Sequence, residues 1–200
     1  MADYKKNDYW QQKAKKEGFP ARSVYKLMEI NEKFRLLRPN IRILDLGAAP
    51  GSWSLYILRK FPASFLVSVD LSPLSRQFDK GLFDGKNFSF IQGDFTDSTV
   101  RDKILSYGPF NLILSDAAPS TTGSRLIDTA RSLELAETVV SYTEDALSCK
   151  GNLALKLFQG GDSPEFLKSL RLIFNSAKSY KPAACRSDSF ETYFLGLEKK

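Results

Sequence analysis

Short apolar runs alternate with helix-patterned segments along almost the whole chain, and this alternation constrains the fold more than any other feature. Residues 41–46, 65–70, 87–92, 110–115, 152–158 and 190–197 read as strands. Between Ser23 and Leu37, apolar Val24, Leu27, Ile30, Phe34 and Leu37 recur at spacings of three and four, an amphipathic helix that Pro39 stops. A helical stretch follows Gly51 to about Lys60, and a stripe at 126, 130, 133, 136, 140, 143 and 147 predicts a long helix over 126–147. Ser163-Pro164-Glu165 starts another, with a capping hydroxyl, a first-turn proline and an acid at the positive dipole end; it is expected to run to about Ala177. Strands separated by helices in this way imply an α/β sandwich on a mainly parallel sheet, with ligands beyond the carboxyl ends of the strands. No repeat or linker divides residues 1–200, which read as one domain.

Those strand ends are where the chemistry-bearing residues collect. The first runs into Asp45-Leu46-Gly47-Ala48-Ala49-Pro50-Gly51-Ser52-Trp53, small residues that let backbone approach a ligand closely before a helix start with free N–H groups. The second ends at Asp70, 23 residues beyond Gly47, placed to accept from both hydroxyls of an adenosine-type ribose. The third leads to Gly93-Asp94-Phe95, a further acid that can meet an adenine amino group. A dinucleotide fingerprint needs glycine where Ala49 stands. Asp45, Asp70 and Asp94 on consecutive strand ends favour a bound cofactor over a bare tight turn.

Composition narrows the chemistry further. The chain contains no histidine, which excludes imidazole bases, Ser-His-Asp triads and His-ligated zinc, and no metal site is expected. Two cysteines, Cys149 and Cys185, cannot build a disulfide framework and fit a reducing cytoplasm. Neither a secretory nor a transit signal fits the polar start, and no apolar run is long enough for a bilayer. The net charge of +6 is carried by residues 1–42, with 11 Lys/Arg against 5 Asp/Glu, while the remainder holds 18 of each. Residues 1–20 therefore read either as a basic RNA-binding arm or as a solvated Lys-rich helix. In that arm Tyr4, Tyr9 and Trp10 lie among Lys5, Lys6, Lys13, Lys15 and Lys16, where they can stack on bases or pack the arm onto the body. Lys156 is the oddest residue, a lysine inside the apolar run Leu153-Ala154-Leu155-Lys156-Leu157-Phe158. Residues 120–125 read as a mobile loop suited to closing over substrate.

From about Tyr9 to Leu197 the chain resembles the FtsJ-type (RrmJ) RNA ribose 2′-O-methyltransferases, the heat-shock rRNA methyltransferases of bacteria. The resemblance rests on segments 21–27 (Ala-Arg-Ser-Val-Tyr-Lys-Leu), 45–54, 91–97 (Ile-Gln-Gly-Asp-Phe-Thr-Asp), Ser115-Asp116-Ala117-Ala118-Pro119, Thr121-Thr122-Gly123 and 155–160 (Leu-Lys-Leu-Phe-Gln-Gly). It implies a Rossmann-like fold with a mainly parallel seven-stranded sheet, an antiparallel last strand and helices on both faces. It also implies S-adenosyl-L-methionine as cofactor and a Lys-Asp-Lys-Glu tetrad at Lys26, Asp116, Lys156 and Glu191. The cofactor-binding set becomes Gly47, Ala48, Pro50, Gly51, Trp53, Asp70, Leu71, Asp94, Phe95 and Asp116. Ser52 replaces a glycine common in the family, and residues 185–190 are less basic than its pattern.

Methyl transfer from a sulfonium needs a positioned acceptor oxygen and a destination for its proton. Burial and a neighbouring cation lower a lysine's pKa, so two converging lysines held by carboxylates are suited to a ribose hydroxyl. The expected roles are Lys156 as base or as the group steering the hydroxyl, Asp116 orienting it, Lys26 stabilising negative charge, and Glu191 orienting a lysine or accepting from RNA. The expected substrate is a uridine of 23S rRNA within the large ribosomal subunit, modified by a cytoplasmic monomer with no membrane contact. Alternatives are a tRNA 2′-O-methyltransferase and a non-catalytic RNA-binding ribosome-assembly factor on the same scaffold. Amino-group DNA methylases want Asp/Asn-Pro-Pro-aromatic where Asp116-Ala117-Ala118-Pro119 stands, and cytosine-C5 RNA methylases want a cysteine after proline, which neither Cys149 nor Cys185 is.

Overall fold

The computed structural model describes residues 2–186 and 189–200, with side chains from Tyr9 onward. The elements in chain order are α1 (Ala2–Lys16), α2 (Val24–Phe34), β1 (Arg42–Leu46), α3 (Ser52–Lys60), β2 (Phe65–Asp70), β3 (Phe88–Gln92), α4 (Ser98–Leu105) and β4 (Phe110–Ser115). α5 (Arg125–Ala146), β5 (Leu147–Phe158), α6 (Ser163–Ile173), β6 (Phe174–Tyr180) and β7 (Glu191–Lys199) follow. Among the described residues these strands form one seven-stranded sheet, ordered β3-β2-β1-β4-β5-β7-β6. The pairs from β3 to β5 are parallel, and β7 runs antiparallel to both of its neighbours. The last strand in sequence is thus inserted between β5 and β6, so its inward side chains stand beside those of β5.

Two hydrophobic layers cover the two faces. Val24, Leu27 and Ile30 of α2 and Leu55 and Leu58 of α3 pack with Ile43, Leu112, Leu114 and Ala154 on one side. Ile104 of α4, Val139 and Tyr142 of α5, and Phe166 and Leu170 of α6 pack with Leu44, Leu46, Leu153 and Leu155 on the other. Strand alternation decides the assignment: Leu153, Leu155 and Leu157 face α5 and α6, which turns Ala154, Lys156 and Phe158 toward the α2 side. Lys156 therefore occupies what would otherwise be a core position at the carboxyl end of a central strand.

The structure departs from the sequence pattern in four places. α2 stops at Phe34, where Arg35 turns left-handed at φ 53° and donates its N–H to Asn31. α4 starts on Asp97, whose carboxylate accepts from Thr99 N and Val100 N. β5 begins at Leu147 rather than at residue 152, with a register shift between its pairings at Phe110 and Leu112 that separates the extra turn from the regular strand. β6 occupies residues expected to prolong α6: Phe174, Ala177 and Tyr180 recur every three residues and mimic a helical stripe. The segment is instead an edge strand bonded only to β7, so its pattern never needed to alternate cleanly.

Candidate functional site

The carboxyl ends of β1, β2, β3 and β4 open onto a cleft of about 670 Å³, lined by Gly47, Asp70, Leu71, Asp94, Phe95 and Asp116, with Arg131, Glu134 and Thr138 of α5 as its far wall. That volume lies in the range of small-molecule sites. Gly47 adopts φ 76°, and a Cβ there would sit 2.6 Å from the backbone of Ala117, so the tight crossing of the β1 and β4 loops requires glycine. Asp70 accepts from Ala49 N and Ser72 N, each at 2.8 Å, which fixes both loops around it. Asp94 accepts from Thr96 N and Thr96 Oγ1 at 2.9 and 2.8 Å through one oxygen. A carboxylate offers about four lone-pair sites, so both acids keep acceptor capacity toward the cleft.

Six of the ten residues expected to bind cofactor line this cleft. Ala48, Pro50, Gly51 and Trp53 stand behind its wall. Gly51 takes φ 102° and opens α3, and Trp53 is buried, donating its indole N–H to Ser23 O at 2.9 Å and lying 6.0 Å from the Tyr193 ring. Trp53 thereby ties α3 to the start of α2, the helix that carries Lys26.

Asp45 does not share the cleft with Asp70 and Asp94. One residue short of its strand's end, it points under α3, fully buried, where Ser54 Oγ donates to it at 2.9 Å and its Oδ1 has no partner. Burial pushes its carboxyl up to about 7.

Beside the cleft the four tetrad positions meet. Lys26 Nζ lies 2.8 Å from Glu191 Oε2, and Lys156 Nζ lies 3.0 Å from Asp116 Oδ1 and donates to the Asp116 backbone O at 2.5 Å. Tyr193 joins the two pairs: its hydroxyl donates to Asp116 Oδ1 at 2.5 Å, and Lys26 Nζ sits 5.9 Å from its ring centre. The sheet register explains the convergence, since Lys156 pairs with Tyr193 and Phe158 with Glu191 across β5 and β7, placing all four on one face. Tyr193 was missing from the expected set, although its position two residues beyond Glu191 on a strand already put both on one side.

The electrostatics follow the pairing. Burial pulls the Lys26 amine down, but the carboxylates of Asp116 and Glu191 outweigh it and hold the group above the usual lysine value. At Lys26, therefore, the expected lowering by a neighbouring lysine does not occur. Burial raises Asp116, while Lys156, Lys26 and the Tyr193 hydroxyl together hold it below the carboxylate range. Tyr193, fully buried beside two carboxylates, is raised well above its ordinary value and serves as a neutral donor. Burial and Glu191 push the Cys185 thiol up to about 12, which removes it as a nucleophile.

Residues 120–124 are tied down at their far end. Asp128, at the first turn of α5, accepts from Thr122 N at 2.7 Å, Thr122 Oγ1 at 2.8 Å and Gly123 N at 3.3 Å. In α1, Trp10 packs against Tyr25 with ring centres 4.9 Å apart and Lys13 Nζ lies 4.8 Å from the Tyr25 ring, so Trp10 docks the helix onto the body. Tyr9 remains 58% exposed. The side chains of Tyr4, Lys5 and Lys6, like Ser187 and Asp188 within residues 185–190, lie outside the described residues. Among the described residues no helix is long and apolar enough to cross a membrane.

Comparisons with known proteins agree with this geometry. The model of the FtsJ-like methyltransferases matches residues 19–199. A protein of Treponema denticola named ribosomal RNA large subunit methyltransferase E is 46% identical over 198 residues, covering 98% of this chain and 97% of its own. A protein of the same name from Borreliella afzelii is 48% identical over 191 residues, 95% of this chain and 97% of its own. Among solved structures, a ribosomal RNA methyltransferase from Plasmodium falciparum superposes with a TM-score of 0.74 at 25% identity, covering 90% of this chain and 97% of its own. The fibrillarin/Nop5p complex contains the same fold, with a TM-score of 0.63 at 18% identity over 88% of this chain and 82% of its own. The chain belongs to the FtsJ-like methyltransferase family.

Proposed function

We propose that this methyltransferase uses S-adenosyl-L-methionine to methylate a ribose 2′-hydroxyl, most specifically that of a uridine in the 23S rRNA of the large ribosomal subunit. The observation that carries the reading is the double position of Asp116, which lines the cofactor cleft and also holds Lys156 at 3.0 Å. A methyl donor and a proton acceptor can thus be served from one residue. The cleft fits the cofactor by the remaining acceptor capacity of Asp70 and Asp94 along its wall. When bound, the cofactor supplies a methyl group already activated on a sulfonium.

The chain's own residues manage the acceptor. A neutral amine has two N–H bonds and one lone pair. The Asp116 carboxylate and backbone carbonyl take two donors from Lys156, leaving its third direction for the ribose hydroxyl's proton. Tyr193 keeps Asp116 turned toward Lys156. Lys26, held charged by Glu191, stabilises negative charge as it develops on the ribose oxygen. The basic helix Ala2–Lys16 would contact phosphates, and the expected site of action is the cytoplasm, as a monomer.

Large subunits from cells lacking this gene, incubated with methyl-labelled cofactor, should yield label in a 2′-O-methylated nucleoside within an alkali-resistant linkage. Lys156→Ala should lower the single-turnover rate by about a thousandfold or more, within the range of general-base catalysis plus lost positioning. Label on a base, or full single-turnover activity in Lys156→Ala, would end the reading.

A further inference from the structure

The long helix carries an apolar stripe further than the core can use. Buried apolar positions on α5 begin with Ala136, Val139 and Tyr142, whereas Leu126 and Ile127 in its first turn are 81% and 45% exposed. Leu126 lies just beyond the carboxyl end of β5, beside Gln159. Leu126, Arg125, Gln159 and Gly160 line a groove of about 550 Å³ there. Gly160 lets its floor close against α5, since a Cβ at that position would come 3.2 Å from Thr129.

The groove adjoins the tetrad through the backbone. Gln159 N donates to Phe190 O at 2.7 Å, and Phe190 immediately precedes Glu191. The Arg125 guanidinium lies 5.6 Å from the Phe190 ring, which packs edge-on against Phe158 at 4.8 Å. Phe158 stands two residues from Lys156 on one strand face, about 7 Å along the strand. Among the described residues no carboxylate pairs with Arg125, and the Gln159 side chain has only a 3.5 Å contact from Thr192 Oγ1 to its oxygen. A planar cation, an exposed aliphatic side chain and a largely unengaged amide suit an uncharged aromatic ring with a polar edge. A phosphate would call for several donors instead.

Resting on the 2′-O-methylation reading above, we infer that this groove takes the nucleobase of the acceptor nucleotide, stacked against Arg125 and Leu126, with Gln159 reading its polar edge. The ribose then falls between the groove and the cofactor cleft, next to Lys156. A base splayed out of its helix presents both a π-face and a hydrogen-bonding edge to such a groove.

The test uses large subunits lacking the methyl group, with the natural base and with an exchanged base at the methylated position. Wild type should prefer the natural base about tenfold in kcat/KM, the scale of a base-edge contact. Gln159→Ala should bring that ratio within twofold of one. Arg125→Ala should raise KM for the subunit about tenfold, with the Kd for S-adenosylhomocysteine within twofold of wild type. Both side chains are exposed, so unchanged melting temperatures are expected. An unchanged base ratio in Gln159→Ala overturns the inference whatever Arg125→Ala does, as does a cofactor Kd that rises with KM. A wild type that forms no alkali-resistant linkage overturns the 2′-O-methylation reading instead.

Discussion

Asp45 makes the stability of this fold depend on pH in a direction opposite to most carboxylates. The group is fully buried, with one oxygen unpartnered and the other met by Ser54, and its carboxyl is raised from 3.8 to about 7. Between those values the folded chain holds a proton that the unfolded chain has released. The contribution is therefore fully present below the unfolded value and is lost as pH rises through the folded one. The difference between those two values corresponds to about 4 kcal/mol, of which about 3 kcal/mol is lost between pH 5 and pH 8. Asp45→Asn keeps the shape without the titration. Urea unfolding of wild type and Asp45→Asn at pH 5, 6, 7 and 8 isolates this group, because the other titrations cancel in the difference. The variant should gain about 3 kcal/mol relative to wild type across that range, with an unchanged m-value. A difference that stays constant with pH would refute the argument and mean that Asp45 remains ionised in the fold.

Three further outcomes follow from the site. Gly47→Ala should destabilise the fold by about 3 kcal/mol or more and weaken cofactor binding, because it combines a positive φ with a Cβ 2.6 Å from Ala117 backbone; thermal melts and calorimetry measure both. Tyr193→Phe removes the hydroxyl that holds Asp116 and should lower the single-turnover rate about tenfold at unchanged cofactor Kd, with about 2 kcal/mol of stability lost to chemical denaturation. Glu191→Gln leaves the largely buried Lys26 without its 2.8 Å carboxylate and should cost about 3 kcal/mol, an effect that Lys26→Met in the same chain should largely relieve.

The parallel part of the sheet was legible because its strands are buried on both faces. β2 and β4 are mostly apolar, and their bounds in the structure coincide with those read from the sequence. Where one face meets solvent or the sheet ends, the pattern misleads. The edge strand β6 carries apolar residues every third position, and the first turn of α5 keeps its stripe after the core beneath it has run out. Lys156 announced itself because a charge inside an apolar run contradicts its neighbours. Lys26 did not stand out locally, since one lysine on an amphipathic helix is ordinary until the fold brings Glu191 against it from 165 positions away. Asp45 misled for a geometric reason: acids near neighbouring strand ends look equivalent in sequence, but Asp45 pairs with Ser68, two residues before Asp70, which sets it back from the edge of the sheet and under α3.

The two lysines are also unequal in a way only the pairing reveals. Lys26 faces a carboxylate from another strand and lies within the field of Asp116, so it keeps its charge through neutral pH. Lys156 gives its donors to one residue, side chain and backbone together, which restrains the amine without surrounding it. Lys26 is thus enclosed by two carboxylates from different segments, whereas Lys156 is held from one side by Asp116, the same residue that lines the adjoining cleft.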